Sequence, residues 1–470
     1  MKKINKYIKS VILVLFIGFS LISCEDLIEI DIPNNQLVTA SVFQDTATVN
    51  SAVLGMYAKV ANPDGTQGGL GTIAAMFNGM SADEIHHFYT FLYGEFVTNT
   101  IETNSVYVAG YWSFLYRDIY TANAIIEGLN KSSLSKSYVD PILGEAKFIR
   151  ALCYFYLINE FGPVPLVLQT DPTVTATQPR ESVNLIYEQI KTDLLDAIEV
   201  LPDNYGAYEG KKTRATTWAA KALLARVYLY NADWENAEIE ATQVINKTAL
   251  FDLEPDLEKV FLANSQEGIL QFPPAFSSSI WMASTFYPSF SANFVLNEEL
   301  TNDFEAGDKR RDSWTINYSS QGVIYPHSAK YKRTFSNPSA VEYNQVLRIS
   351  EQYLIRAEAR TQQGKFDEAR ADINKIRERA DLDDLTIPNT KEALMVAIEQ
   401  ERRVELFCEW GHRWFDLKRW SARNNPSQTR AEEVLSVLKV DNWQSTDLLF
   451  PIPETSIVNN PNLSQNPGYN

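Results

Sequence analysis

The stretches AKALLARVYLYNADWENAEIEATQVI and YLIRAEARTQQGKFDEARADINKIR align at an offset of 132 residues. Ala225 matches Ala357, Trp234 matches Phe366, Ala237 matches Ala369 and Val244 matches Ile376. Each copy reads as two amphipathic helices joined by a short polar turn. A single pair of this kind cannot bury its apolar face, so several must stack. Small residues stand where two helices would cross, and an aromatic residue opens the second helix of each copy.

That spacing is the one of a tetratricopeptide unit. Apolar residues recur at helical period elsewhere too. In ESVNLIYEQIKTDLLDAIEVLP, Val183, Ile186, Ile190, Leu194, Ala197 and Leu201 form one stripe that Pro202 ends. Similar patterns predict helices over roughly 41–61, 107–129, 138–160, 214–230, 234–247, 349–363, 366–380 and 391–410. The expected class is mainly α: a tetratricopeptide-like helical repeat scaffold with an irregular, loop-rich ligand-binding lobe. Helical repeats are expected at about 41–61, 107–264 and 346–420, and the irregular lobe at about 62–106 and 265–345. Repeats of this kind serve peptide binding in some chains and plain scaffolding in others, and two copies do not separate the two roles.

The lobe has a composition of its own. From Gly268 to Asn297 the chain carries neither a charged residue nor a histidine, and seven of the 24 residues in QFPPAFSSSIWMASTFYPSFSANF are aromatic. Such a stretch is either buried or a binding surface. A second aromatic run, HHFYTFLYGEF, covers 86–96.

The N-terminus reads as a targeting segment. MKKINKYIK is basic, and VILVLFIGFSLIS is apolar but shorter than the roughly 20 residues that span a bilayer. LISC then places Cys24 where cleavage would fall, followed by the acidic CEDLIEIDIP. A plain secretory signal with an incidental cysteine is the simpler alternative. The pattern resembles the lipobox of bacterial lipoproteins, whose cysteine is acylated, and several acyl chains at ~0.8 kcal/mol per buried CH₂ anchor firmly. Residues 1–23 are then a lipoprotein signal peptide, 24–40 an acidic linker after the lipidated Cys24, and 41–470 a single domain. The acidic flank also resembles the surface-export signal of Bacteroidetes lipoproteins. Four of the 42 Lys and Arg lie in the leader, so the rest carries 38 against 59 acids, a net charge of −21. A body this acidic repels phosphate backbones, which argues against a nucleic-acid partner.

Further segments match a known family in order. AKFIRALCYFYLINEFGPVPLV (146–167) resembles a helix leading into a Phe-Gly-x-Val-Pro-Leu turn, and the helix beginning PRESVNLIYEQI follows it. NDFEAGDKRRDSW (302–314) is similar to a Phe-x-x-x-Asp-x-Arg element, carried by Phe304, Asp308 and Arg310. ERRVELFCEWGHRWFDLKRW (401–420) and the C-terminal PIPETSIVNNPNLSQNPGY complete the series. The chain resembles the SusD/RagB family of outer-membrane nutrient-binding lipoproteins, nearly end to end. The resemblance implies a tetratricopeptide-like scaffold, a ligand site on the irregular lobe, and a SusC-like TonB-dependent transporter as partner. The expected function is capture of an oligo- or polysaccharide and its delivery to that transporter, without chemistry. The lipid on Cys24 would hold the protein to the outer membrane, facing outward. Capture of peptides, as in the RagB branch, is the alternative, and a surface glycosidase is the reading from another class.

The block at 401–420 concentrates charge, Trp, a cysteine and a histidine. Glu401 and Glu405 stand one helical turn apart, and Arg413 and Arg419 follow the Gly411 break. They are expected to form a structural clamp, with bidentate Arg–carboxylate pairs fixing two helices. Cys408 and His412 have i, i+4 spacing, but His86, His87 and His327 lie far off in sequence, so the ligand count for zinc falls short and neither metal nor cofactor is expected. A disulfide between Cys153 and Cys408 is possible in principle and nothing requires it. GGLG (68–71) lacks the phosphate-loop pattern, and Gly-x-Ser-x-Gly is absent. Asp83–Glu84 is a carboxyl pair of the kind a glycosidase needs, though neighbours in sequence rarely face each other. No catalytic residue is assigned.

Sugar rings stack their C–H faces on aromatic rings, while their hydroxyls bond to polar neighbours. The ligand-contacting residues are therefore sought in the charge-free stretch and its surroundings: Trp281, Tyr287, Trp314 and Tyr325, with Tyr89 and Tyr93 from the first aromatic run. Each ring taken singly also has the alternative of core packing.

Overall fold

The structure is a computed structural model that describes residues 42–61, 68–89, 91–263, 265–274, 280–288, 293–333 and 341–469. The signal segment, Cys24 and the acidic linker lie outside the described residues.

Twenty elements carry the description, in chain order. The first half holds α1 (Thr46–Ala61), α2 (Leu70–Ser81), β1 (Ile85–His87), α3 (Val106–Asn130), α4 (Lys136–Phe161), α5 (Val183–Val200), α6 (Thr217–Tyr230) and α7 (Trp234–Ile245). Then come β2 (Gly268–Phe272), α8 (Trp281–Phe286), β3 (Phe294–Leu296), α9 (Lys309–Trp314), β4 (Thr315–Ser320), β5 (Val323–Ser328) and β6 (Asn344–Arg348). The chain closes with α10 (Ile349–Gln362), α11 (Phe366–Arg379), α12 (Lys391–Leu406), α13 (His412–Arg419) and α14 (Arg430–Leu438).

Helices α3 to α7 pack each on the next, and α7 then packs on α10, which continues the array through α11 and α12. The two sequence copies are therefore neighbours in space, although about a hundred residues separate them in the chain. Their matching alanines explain the contact. Ala225 and Leu229 of α6, Ala237 and Ala241 of α7, and Ile355 and Ala359 of α10 form one buried cluster. Ala357, Ala369, Ile373, Leu394, Ala397 and Ile398 form the next, closed by Trp420. Small side chains at these positions let helix backbones approach closely. The start of α5 is set by Ser182, whose Oγ accepts from the Leu185 N–H at 3.3 Å.

The segment between α7 and α10 leaves the array. Antiparallel pairing of β2 with β6 ties its two ends together. It is less irregular than its composition suggests. Strands β4 and β5 form a hairpin in which Tyr318 faces Tyr325 across the ladder. Gln321 and Gly322 make the two-residue turn at φ of 51° and 81°, the left-handed pair such hairpins favour.

The region 62–106 also departs from expectation, because it contains α2. Every residue of that helix is buried, so its sequence LGTIAAMFNGMS has no polar face and no helical period to read. Its glycines serve close packing: a Cβ at Gly71 would lie 2.7 Å from the Trp410 ring. Among the described residues no helix is long and apolar enough to cross a membrane.

Candidate ligand-binding site

Strand β1 pairs antiparallel with β3, His86 opposite Val295 and His87 opposite Phe294. This short ladder joins the two irregular segments, and β3 in turn packs on the β5 strand of the hairpin. The result is an aromatic surface. Phe91 is 81% exposed, Tyr89 44% and Phe88 37%. The Phe88 ring meets Tyr325 at 5.1 Å, nearly perpendicular, and meets Tyr89 at the same distance; Tyr89 meets Phe91 at 5.8 Å. Below them Tyr93, half-buried, packs on Tyr107 at 4.6 Å and on Phe294 at 5.9 Å. His86 Nδ1 and the Asn297 side-chain oxygen are 2.7 Å apart.

The structure thus brings Tyr89, Tyr93 and Tyr325 together, as neighbours of one surface. Phe88 and Phe91 were not singled out from the sequence, although both stand in the aromatic run that was. Trp281 and Tyr287 lie at the start and just past the end of α8, both half-buried. Trp314 is elsewhere and must be corrected: only 1% of it is exposed. Its indole N–H donates to the Leu257 carbonyl at 3.0 Å, and the Lys330 ammonium and Arg379 guanidinium lie 5.0 and 5.4 Å from its centroid. A ring enclosed on these sides has no face to offer a ligand; it is core. The charge-free stretch is largely core as well, since Phe272, Phe286 and Phe294 are buried.

The clamp residues are buried and ionically paired, but with other partners than one another. The helix α9 is opened by Asp308, which accepts from the Arg310 N–H. Arg310 then donates to Asp308, to Glu401 at 2.9 Å and to Glu405 at 3.1 Å. Arg377 also donates to Glu401, at 3.0 Å, while Arg348 and Arg379 donate to Glu405. Burial would raise the Glu405 carboxyl, but Arg379, Arg348 and Arg310 outweigh it and hold it well below the usual range. Arg413 grips Asp83 through two bonds of 2.8 and 2.9 Å and reaches Glu399 at 3.0 Å. Arg419 pairs with Glu358 and Asp416. The expected pairing of Glu401 and Glu405 with Arg413 and Arg419 therefore does not occur. Partners come from segments up to 330 positions away, which helical spacing cannot reveal.

These partners show what the block does. Arg403 donates to Asp83, just before β1, and pairs with Asp303, just before α9. Arg413 and Arg310 add a grip on each side. The block at 401–420 thus fixes both segments that supply the aromatic surface to the helical array.

Asp83 and Glu84 are both buried. Burial would raise the Asp83 carboxyl, but Arg413 and Arg403 outweigh it and hold it well below its ordinary value. Glu84 is pushed up to about 8, first by burial and then by the neighbouring Asp83 charge. Neither carboxyl faces solvent, so this pair cannot flank a scissile bond. Cys153 and Cys408 are free and buried. Burial raises the Cys408 thiol, the opposite of what a metal-binding thiolate requires. Among the described residues there is no group of three or more His, Cys, Asp or Glu placed to hold a metal ion.

Comparison with known proteins gives the same family from both halves of the chain. Residues 276–469 match the model of the SusD family, and residues 33–229 match the model described as "Starch-binding associating with outer membrane". SusD-like protein P2 of Formosa agariphila is 28% identical, the alignment covering 96% of this chain and 97% of that protein. Among solved structures, a SusD superfamily protein from Bacteroides vulgatus superposes with a TM-score of 0.79 at 21% identity, over 91% of this chain and all of that one. A laminarin-binding SusD-like protein superposes with a TM-score of 0.76 at 22% identity, again over 91% of this chain and all of the other. With the two models matched to successive parts of the chain, residues 33–229 and 276–469, and a relative aligned over nearly its whole length, the chain belongs to the SusD/RagB family.

Proposed function

We propose that this protein is a non-catalytic, lipid-anchored glycan-binding protein of the outer membrane, and that the surface of Phe88, Tyr89, Phe91 and Tyr325 takes the sugar. The observation that carries this reading is the exposure of three clustered rings in a domain that buries most of its aromatic residues. Aromatic faces suit the C–H faces of sugars, and the tyrosine hydroxyls can bond to sugar hydroxyls. A laminarin-binding neighbour of the same fold supports a glycan as ligand. Tyr93 supports the surface from beneath, with Trp281 and Tyr287 as candidates for its margin. Delivery to a SusC-like TonB-dependent transporter is part of the same proposal, and it follows the family.

Tyr89→Ala and Phe91→Ala test the surface. Each is expected to weaken retardation in gels containing a neutral polysaccharide by ~1 kcal/mol or more, where 1.4 kcal/mol is tenfold. Melting should hardly change, because both rings are solvent-facing. New reducing ends released from the polysaccharide would favour the glycosidase reading instead.

Anchoring has its own test. Cys24→Ala should remove palmitate labelling and release the protein from the outer-membrane fraction. A variant that labels and fractionates like the parent would remove the lipid anchor from the proposal.

A further inference from the structure

The hairpin has two faces, and only one of them belongs to the aromatic surface. Tyr318 and Tyr325 are cross-strand partners on that face, whereas Asn317 pairs with Pro326 and Ser319 with Ile324 on the other. The second face borders a groove of about 490 Å³, whose lining also includes Phe304, Arg311 and Asp312. We propose that this groove is a second glycan subsite, which holds sugar units of the same chain beyond those on the aromatic surface. The inference rests on the glycan reading given above.

The lining has the chemistry of a neutral sugar site. The Arg311 guanidinium only donates hydrogen bonds, the Asp312 carboxylate only accepts them, and the Asn317 amide does both. Sugar hydroxyls also do both, so one ring can satisfy all three. Ile324 and Pro326 offer apolar surface to the C–H face, and Ile324 is 63% exposed. Arg311 and Asp312 are also available. Nearly every other arginine around the 401–420 block is held by a carboxylate, but among the described residues neither Arg311 nor Asp312 forms an ion pair. An anionic chain would meet the Asp312 charge, and an aliphatic ligand would strip water from both ions without replacing their bonds. A polysaccharide that passes round the edge of the hairpin would engage both faces. Linked engagement of that kind raises affinity for long chains over short ones.

The test uses the mature chain, with laminarin, amylopectin, xylan and galactomannan as probes in affinity gels. Calorimetry follows with short oligosaccharides of whichever polymer is retarded. Arg311→Ala, Asn317→Ala and Ile324→Ala replace exposed side chains, so their melting curves should overlay that of the parent. The expected result is a roughly tenfold loss of affinity for the polymer with no loss for the short fragments. Tyr89→Ala should weaken both. Polymer binding equal to the parent in all three groove variants would overturn the second subsite while leaving the aromatic surface standing. Failure of the parent to bind any of the four polymers would overturn both.

Discussion

Arg348→Met is expected to destabilise the protein by roughly 3–5 kcal/mol, since it removes one partner from a buried ionic cluster. Arg348 is 2% exposed. It donates to Glu409 at 2.9 and 3.0 Å, to Glu405 at 2.5 Å, to the Glu405 carbonyl at 2.7 Å and to Glu267 at 3.2 Å. The buried part of the cluster holds Arg310, Lys330, Arg348, Arg377 and Arg379 against Glu267, Asp308, Glu401, Glu405 and Glu409. Positive and negative members are equal in number, so the cluster is close to neutral inside a domain that is strongly acidic overall. Methionine keeps much of the stem volume but leaves three carboxylates short of a donor. Glu409 keeps Lys330, and Glu405 keeps Arg310 and Arg379, so the loss should not spread to the whole cluster. Arg348→Lys retains the charge but not the planar fork, and should fall between parent and Met variant. Chemical denaturation measures the difference directly. A loss under about 1 kcal/mol, the scale of an exposed ion pair, would mean that the cluster is not what holds the lobe to the array.

How much of this was legible beforehand varied with the physics of each part. The helices from α3 to α7 and from α10 to α12 stand close to where helical periodicity put them, because their apolar and small residues recur at helical spacing, even in α6 and α10, which bury most of their residues. Helix α2 was hidden because it is dry all round. The hairpin was hidden because TINYSS has little apolar alternation and its turn is Gln-Gly rather than the stronger Asn-Gly or Asp-Gly. Aromatic content pointed to the 86–96 run, which carries the exposed rings, but equally to the charge-free stretch, which is largely core, and it did not separate wet rings from dry ones. Trp314 follows a run of charged residues; it is buried because Asp308 and Arg310 of that run join the ionic cluster, whose Lys330 and Arg379 flank the ring. Phe88 and Phe91 stand in the 86–96 run beside Tyr89 and Tyr93, and nothing local in the sequence marks them as exposed rings. The acidic and basic residues of 401–420 were recognisably structural, yet their partners lie on segments that only the fold brings near. Local sequence specifies which faces are apolar, and long-range pairing decides which charges meet.

Glu84→Gln is expected to make the protein markedly less sensitive to rising pH. Burial, and after it the Asp83 charge, push the Glu84 carboxyl from an ordinary 4.5 up to about 8; Arg403, Arg413 and Lys330 oppose this without reversing it. One of its oxygens, Oε1, is buried without a hydrogen-bond partner among the described residues, which fits a neutral acid better than a carboxylate. The folded protein thus keeps a proton that the unfolded chain gives up above about 4.5. The stability this proton confers is full below about pH 4.5 and is lost progressively as pH rises through about 8. Glutamine is nearly the same shape and stays neutral, so it should match the parent at the acid end. By pH 8 it should lead by on the order of 4 kcal/mol. Other buried groups titrate in the same range. Lys439, held neutral by burial down to about 7, contributes with the opposite sign, since its unfolded form keeps its proton to higher pH. Burial raises the Glu160 carboxyl and lowers the neighbouring Lys418 ammonium, which adds terms of both signs. The parent's own profile therefore mixes several slopes, and the difference between parent and Glu84→Gln isolates one. Melting of both proteins at intervals from pH 5 to 8 gives that difference. Infrared difference spectra at neutral pH should show a protonated carboxyl band in the parent that the variant lacks. Parallel melting profiles together with no such band would mean that Glu84 is ionised in the folded protein. Arg403 and Arg413 would then have to balance the Glu84 charge in addition to Asp83, Asp303 and Glu399.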